Sequence, residues 1–258
     1  MKAIILAAGY ATRLKPLTDA TAKPLLPLAG RPMIEYLCDR IAEVDEVDAI
    51  HLVTNQKFAA SFEGWVRRHS GRQPVILHND GTTSAQDRLG AIGDIHFTVE
   101  HGNLAGSDLL VVAGDNLIDF SLAECVRFWH GKGEADVIAL CDCRDLDLVK
   151  QYSMVEVDPH DRVRSFVEKP KNPTSTLTGT AVYVYHRMHV GLIAQYVADG
   201  QPCDAPGNLI SWLYTRVPVY GYRFEGTWLD IGDEPELLRA DNLMRERQGL
   251  RPRKSYRP

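Results

Sequence analysis

The stretch KAIILAAGYATRLKPLTDATAKPLLPLAG, residues 2–30, begins as an apolar strand and continues as a small-residue loop that carries Arg13 and Lys23. Lys2 to Leu6 reads as a strand buried on both faces, because its aliphatic run leaves no polar side to meet water. Beyond Leu6, the residues Ala7, Ala8, Gly9 and Ala11 leave the main chain unobstructed, so backbone N–H groups can approach a polyphosphate. Thr12 adds a hydroxyl donor. Arg13 offers a planar fork matched to phosphate oxygens, and Lys23, on the far limb of the loop, a mobile point charge. The competing reading is a turn that lets a helix pack on a sheet, with both cations solvated. GxxxxGK[ST] does not occur and no GxGxxG follows the strand, which argues against a P-loop ATPase and a dinucleotide-binding dehydrogenase.

Outward from this loop, strands and helices alternate. A helix is expected over residues 32–44 with Pro in its first turn, a strand over 49–54, a helix capped by Asn55 and running to 68, a strand over 74–78, a helix over 85–100, and an apolar strand in DLLVVAGDN, residues 108–116. That alternation implies a mostly parallel sheet covered on both faces, with ligands collecting at the carboxyl ends of its strands. After Glu134 the pattern turns strand-rich, with helices expected near 186–198 and 234–247. This half is expected to extend the sheet and to add a smaller lobe over the ligand edge. The basic tail at 249–258 is expected to fray.

Composition narrows the function classes. The chain has 258 residues, 45% hydrophobic and 24% charged, enough for a substantial core, and its formal charge is 29 − 34 = −5. Bulk attraction to nucleic acid or an anionic membrane is therefore not expected, and any phosphate site must be built locally. Five cysteines, at 38, 125, 141, 143 and 203, form no framework and no CxxC pair, which points to a reduced, cytoplasmic setting. No export signal or membrane-spanning run is read.

Four downstream motifs carry acids and cations. VVAGDNLIDF, residues 111–120, puts Gly114 and Asp115 at the end of a buried strand, as a cap or as a ligand for a hard cation. GTWLDIGDEPEL, residues 226–237, supplies a second acid, Asp230, ahead of the final helix. Two carboxylates from distant strand ends, with phosphates filling the remaining positions, suit the oxygen shell of Mg²⁺. SFVEKPKNP, residues 165–173, ends a strand with Glu168 and Lys169, and TLTGTAVYVY, residues 176–185, contains Thr178 and Gly179. In HNDGTTSAQDRLGAIGD, residues 78–94, Asn79 and Asp80 could hydrogen-bond a base edge, with Arg88 to Gly90 packing beneath a nucleotide; otherwise they cap a loop that enters a helix.

Residues 6–18 and 22–34, LAAGYATRLKPLT and AKPLLPLAGRPMI, resemble the signature loop of the sugar-1-phosphate nucleotidylyltransferases, the family of glucose-1-phosphate thymidylyltransferase and its uridylyl and guanylyl relatives. The family usually has Gly where Ala8 and Ala11 stand, so Ala would be strained there if φ is positive. The resemblance covers nearly the whole chain, with all four motifs in order. It implies a Rossmann-like α/β fold: a mixed, mostly parallel sheet flanked by helices, with a smaller strand-rich sugar-binding lobe. One domain, 1–248, would comprise a nucleotide-binding half to about 134 and a sugar-phosphate-binding half beyond it.

The resemblance further implies Mg²⁺ on Asp115 and Asp230, with Arg13, Lys23 and Asp115 catalytic. Leu6, Ala7, Ala8, Gly9, Thr12, Arg13, Asn79, Asp80 and Gly114 would hold the nucleotide. Glu168 would bond sugar hydroxyls, Lys169 would neutralise the 1-phosphate, and Thr178 and Gly179 would lie against the sugar. The substrates would be an NTP and a sugar-1-phosphate, the products an NDP-sugar and pyrophosphate, and the assembly a dimer or tetramer. Base and sugar stay open. Rival readings are a cytidylyltransferase acting on phosphocholine or another phosphate ester, a nucleotide-sugar-dependent glycosyltransferase, and a non-catalytic ligand-binding homologue. DLD at 145–147 resembles a glycosyltransferase DxD but lies in a polar stretch rather than at a clear strand end.

Overall fold

The computed structural model describes residues 1–258. The first half runs β1 (Lys2–Leu6), the loop with two single 3-10 turns (Thr12–Leu14 and Lys23–Leu25), the small hairpin β2 (Pro27–Leu28) and β3 (Arg31–Pro32), α1 (Met33–Ala42), β4 (Ile50–Thr54), α2 (Ala59–Val66), β5 (Val75–Asn79), α3 (Gly90–His101), β6 (Leu109–Ala113), β7 (Asn116–Ile118) and α4 (Leu122–His130). The second half runs β8 (Asp136–Asp142), α5 (Leu146–Val149), β9 (Ser153–Val157), β10 (Val163–Glu168), β11 (Leu177–Tyr185), α6 (Gly191–Ala198), α7 (Gly207–Leu213), β12 (Val219–Arg223), β13 (Trp228–Asp230) and α8 (Glu234–Arg247).

The central sheet has seven strands in the order β12-β8-β11-β6-β1-β4-β5. β1 pairs in parallel with both β4 and β6, β4 with β5, and β12 with β8, whereas β11 is antiparallel to both its neighbours. The sheet is therefore mixed and mostly parallel, and the second half extends it as expected. Chain order reverses on either side of β1, so the crevice between the carboxyl ends of β1 and β6 is the topological switch point where such sheets bind ligands.

Alternate residues of β1 face opposite layers. Ala3 and Ile5 join α1, α2 and α4 in one core, while Ile4 joins α3, α6 and α7 in the other. Ile4 and Ile5 are fully buried, each worth roughly 1.5–3 kcal/mol in apolar burial. A third cluster joins Leu14 and Leu26 of the loop to Leu117 of β7, Leu229 of β13 and Leu237 of α8. It anchors the loop after β1 to the strand that carries Asp230.

Several boundaries differ from the sequence expectation. Asn55 caps a turn rather than the helix itself: Oδ1 accepts from Phe58 N at 3.1 Å, and α2 begins only at Ala59. α3 begins at Gly90 rather than Ala85, because Gly90 takes φ +79, outside helical geometry, and a Cβ there would come within 2.7 Å of the Cys203 main chain. Residues 186–189 form a turn ahead of α6, held by His186 N and His189 Nδ1 on Asp136 and by Arg187 on Asp108. α4 and α7 were not foreseen. The tail does not fray: Tyr256 is 6% exposed in the third cluster and its hydroxyl donates to Pro27 O at 2.8 Å. Arg253 N also donates to Asn242 Oδ1 on α8. No helix is long and apolar enough to cross a membrane.

Candidate active site

A cleft of about 980 Å³ opens at the switch point, and the loop after β1 forms its floor. β4 fixes the start of that loop: Ala7 N donates to Val53 O at 2.9 Å, and the buried Asn55 donates through Nδ2 to Ala8 O at 2.7 Å. Ala11, one of the two positions where Ala replaces the family's Gly, has φ +44, whereas Ala8 keeps negative φ. A left-handed Ala carries a steric penalty of roughly 1–2 kcal/mol, and the bond from Thr18 Oγ1 to Ala11 O at 2.8 Å helps hold it.

Leu6, Ala7, Ala8, Gly9, Thr12 and Arg13 all line the cleft, as sequence reading expected. Lys23, only 8% exposed, enters from the far limb, and its Nζ donates to Asp115 Oδ2 at 2.7 Å. Gly114 does not line the cleft. Its role is close approach: its N donates to Leu6 O at 2.8 Å, and a Cβ would meet that same oxygen at 2.9 Å, so Gly lets the end of β6 lie against the end of β1.

Asp230 reaches the same point by strand pairing. β13 runs antiparallel to β7, with Asp230 opposite Asn116 and Ile231 N donating to Asp115 O at 3.2 Å. Asn116 donates through Nδ2 to Asp115 Oδ1 at 2.9 Å and accepts from Trp228 Nε1, which orients the Asp115 carboxylate. Loss of water pushes the Asp115 carboxyl up, but the Lys23 ammonium and the Asn116 amide more than reverse this, and it sits below the usual range. Asp230 is pushed up to about 6 by burial and then by the charge of Asp115. Two carboxylates converge here beside the Lys23 ammonium, and the charges of Arg13 and Glu236 also act on Asp230. No group of three or more His, Cys, Asp or Glu is placed to hold a metal ion. Arg13 lies over Gly232, where an added Cβ would meet its guanidinium at 3.3 Å.

The opposite wall carries Glu168, Lys169 and Gly179. Burial raises the Glu168 carboxyl, partly offset by Lys169. Lys169 takes φ +46, which turns the chain sharply at the end of β10, and its N donates to Tyr152 O at 2.7 Å. Gly207 at the start of α7 makes room for Glu168: a Cβ there would stand 2.5 Å from Oε2.

Besides Gly114, three expected residues do not line the cleft. Thr178 is fully buried, and its hydroxyl accepts from Ser153 N at 3.2 Å, so it braces β9 against β11. Asn79 turns away to Gln56, and Asp80 is engaged by Thr82 through both N and Oγ1. Their place in the wall is taken by Tyr10, Ala85, Arg88 and Asp94. The DLD carboxylates serve locally: Asp145 caps α5 and Asp147 meets Lys150 Nζ at 2.6 Å. Sequence reading also missed Tyr152, Tyr183 and Trp228 in the lining; strand alternation with the neighbouring motifs was the only signal for them.

A UTP–glucose-1-phosphate uridylyltransferase of Synechocystis sp. is 28% identical over 251 residues, covering 93% of this chain and 62% of the relative. A glucose-1-phosphate adenylyltransferase of Dechloromonas aromatica is 26% identical over 260 residues, covering 89% of this chain and 58% of the relative. The chain thus spans about three fifths of the length of these curated relatives. A UDP-glucose pyrophosphorylase solved with UDP-glucose superposes with a TM-score of 0.80 at 19% identity, covering 95% of this chain and 98% of that one, which shows a shared fold. The family model described as Nucleotidyl transferase matches residues 2–247, and the chain belongs to that family.

Proposed function

We propose that the protein transfers a nucleotidyl group from an NTP to a sugar-1-phosphate, giving an NDP-sugar and pyrophosphate. The observation that carries this is the convergence of Lys23, Asp115 and Asp230 at the switch point, facing Glu168 and Lys169 across one cleft. All five line a single cleft of about 980 Å³.

An oxygen of the sugar-1-phosphate attacks the α-phosphorus in line, the bond from that phosphorus to the bridging oxygen breaks, and pyrophosphate carries away the electron pair. The attacking phosphate is already ionised at neutral pH, so no general base is required, and the protein's work is positioning and charge neutralisation. Arg13 and the N–H groups of the loop after β1 hold the departing phosphates. Lys169 brings the nucleophilic phosphate up against its own repulsion, and Glu168 accepts hydrogen bonds from sugar hydroxyls. Lys23 keeps Asp115 ionised and offers positive charge to the reacting phosphates. Asp115 and Asp230 would hold Mg²⁺, which when bound supplies Lewis-acid polarisation of the α-phosphate. Five unpaired cysteines support a reducing, cytoplasmic setting.

Pyrophosphate release across a grid of NTPs and sugar-1-phosphates, with phosphocholine included and with Mg²⁺ or EDTA, tests the reading. Mg²⁺-dependent release with a sugar-1-phosphate is expected. Release only with phosphocholine would replace the acceptor, and consumption of an NDP-sugar without pyrophosphate would indicate a glycosyltransferase.

A further inference from the structure

A run of buried side chains joins α3 to the loop after β1. Tyr10, in that loop, donates its hydroxyl to Thr82 Oγ1 at 3.1 Å. Thr82, itself buried, donates to Asp80 Oδ1 through Oγ1 at 2.8 Å and through N at 2.7 Å. The other oxygen of Asp80, Oδ2, and Oδ1 of Asp94 on the first turns of α3 are both shut off from water, and neither has any other hydrogen-bond partner. The two carboxyls stand within hydrogen-bonding reach of each other. Two buried carboxylates in contact repel, so the pair keeps one proton between those oxygens. Each donor in the run then has its acceptor: Asp94 on Asp80, Thr82 on Asp80, Tyr10 on Thr82.

We infer that Asp94 is a positioning residue for the nucleotide: the proton it shares with Asp80 keeps Asp80, Thr82 and Tyr10 in line and so fixes the loop after β1, whose N–H groups meet the NTP phosphates. The inference rests on the nucleotidyl-transfer reading.

The main chain of residues 80–82 is tied to the end of β4, by Asp80 N on Thr54 O at 2.8 Å and Gln56 N on Thr82 O at 2.9 Å, so the side-chain run alone carries the link onward to Tyr10 and α3. Tyr10 stands between Gly9 and the left-handed Ala11, in the stretch that floors the cleft. Burial, then the charge of Asp80, pushes Asp94 up to about 8, and no other charge acts on it. The neighbouring charged groups are taken up elsewhere: Asp87 by Thr83 and Ser84, and Arg88 by Asp204. His51, on β4, meets α3 at its other end, beside Gly102, and is paired there with His78. When the shared proton is lost at alkaline pH, Asp80 faces a second carboxylate, the pair parts, and Tyr10 loses its fixed partner.

The test is calorimetric binding of ATP, CTP, GTP, UTP and dTTP, each with Mg²⁺, to the full chain at pH 7 and pH 9, beside Asp94→Ala and Asp94→Asn. For whichever nucleotide binds most tightly, affinity is expected to fall ~10-fold between the two pH values in the native chain, because the binding-competent, protonated fraction falls by that factor. Asp94→Ala is expected to bind weakly at both. Asp94→Asn is expected to restore binding and to hold it within ~2-fold from pH 7 to pH 9, because its amide donates to Asp80 at either pH. Urea unfolding without nucleotide reads the acid pair by itself. The folded chain keeps a proton that the unfolded chain has lost above about pH 4, so the native midpoint should fall further than that of Asp94→Asn between pH 5 and pH 8. Nucleotide binding with the same pH dependence in the native chain and in Asp94→Asn overturns the positioning role alone. No nucleotide binding to a folded chain that shows the urea difference overturns the nucleotidyl-transfer reading, and the positioning role with it. Equal urea shifts in both chains overturn the shared proton.

Discussion

Lys23 Nζ lies 2.7 Å from Asp115 Oδ2 across 92 residues of sequence, and this contact closes the loop after β1 onto the end of β6. Lys23 is nearly buried, so the pair sits in a setting where removing one partner leaves the other uncompensated. A cation and a carboxylate from distant parts of the chain are thus held together by one contact.

Lys23→Ala and Asp115→Asn are each expected to lower turnover by at least ~10²-fold, the scale for loss of a transition-state charge partner. Pyrophosphate release at saturating substrates and Mg²⁺ measures it. Near-native turnover in both variants would move the chemistry elsewhere in the cleft.

The Asp230 carboxyl, pushed up to about 6, sets a pH signature for metal binding. A folded-state value above the ordinary carboxylate range means that the folded chain holds the extra proton between roughly pH 4 and 6, so Asp230 costs the metal-free protein stability as pH rises through that window. A cation bound to the ionised pair relieves that cost. Mg²⁺ is expected to raise Tm at pH 8 and to leave it unchanged at pH 5, and Asp230→Asn to abolish the increment at pH 8. Equal Mg²⁺ effects in the native chain and the variant would remove Asp230 from the cation site.

Gly207 is the third test. An Ala there places Cβ 2.5 Å from Glu168 Oε2 and 2.8 Å from the Phe166 ring, so Glu168 must move. KM for the sugar-phosphate should rise about 10-fold or more while KM for the NTP stays within about 2-fold. A uniform loss for both substrates would show that the contact shapes the whole cleft instead.

Acid sensitivity has a separate origin, far from the phosphates. His51 Nδ1 and His78 Nε2 are 2.9 Å apart in adjacent strands, and burial, then the proximity of His78, pushes His51 down to about 4. Between pH 6.5 and 4 the unfolded chain binds the proton and the folded chain resists it, so this group's stability contribution is complete above about 6.5 and is lost as pH falls toward 4. The loss attributable to it is at most about 3 kcal/mol. Urea unfolding from pH 7 to pH 4.5 should show this, with a shallower decline in His51→Leu; an identical slope in that variant would assign acid sensitivity to other groups.

The parallel half of the fold was legible because β1, β4 and β6 are aliphatic runs and their connecting helices carry a helical period, so local pattern and burial agree. The convergence of Asp115 and Asp230 was legible for a similar reason: both sit in short motifs at strand ends. The base end was not. Asn79 and Asp80 follow a strand and look ligand-facing, yet Asn79 bonds Gln56 at the surface and Asp80 is taken up by Thr82, while Asp94 is hidden in a helical stretch that gives no hint it meets Asp80. Thr178 was misplaced because the alternation of β11 sends Thr178 toward β9 and Gly179 toward the cleft. The tail was misread from its charge, since Tyr256 finds its apolar partners only through the tertiary fold.

The central claim is attack at the α-phosphorus, and label tracing tests it most directly. The protein would be incubated with Mg²⁺, a sugar-1-phosphate and an NTP labelled separately at the α- or γ-phosphate. The α-label should appear in an NDP-sugar and the γ-label in pyrophosphate, in equal amounts. Release of γ-label as inorganic phosphate, or retention of both labels in unreacted NTP under every substrate combination, would contradict it.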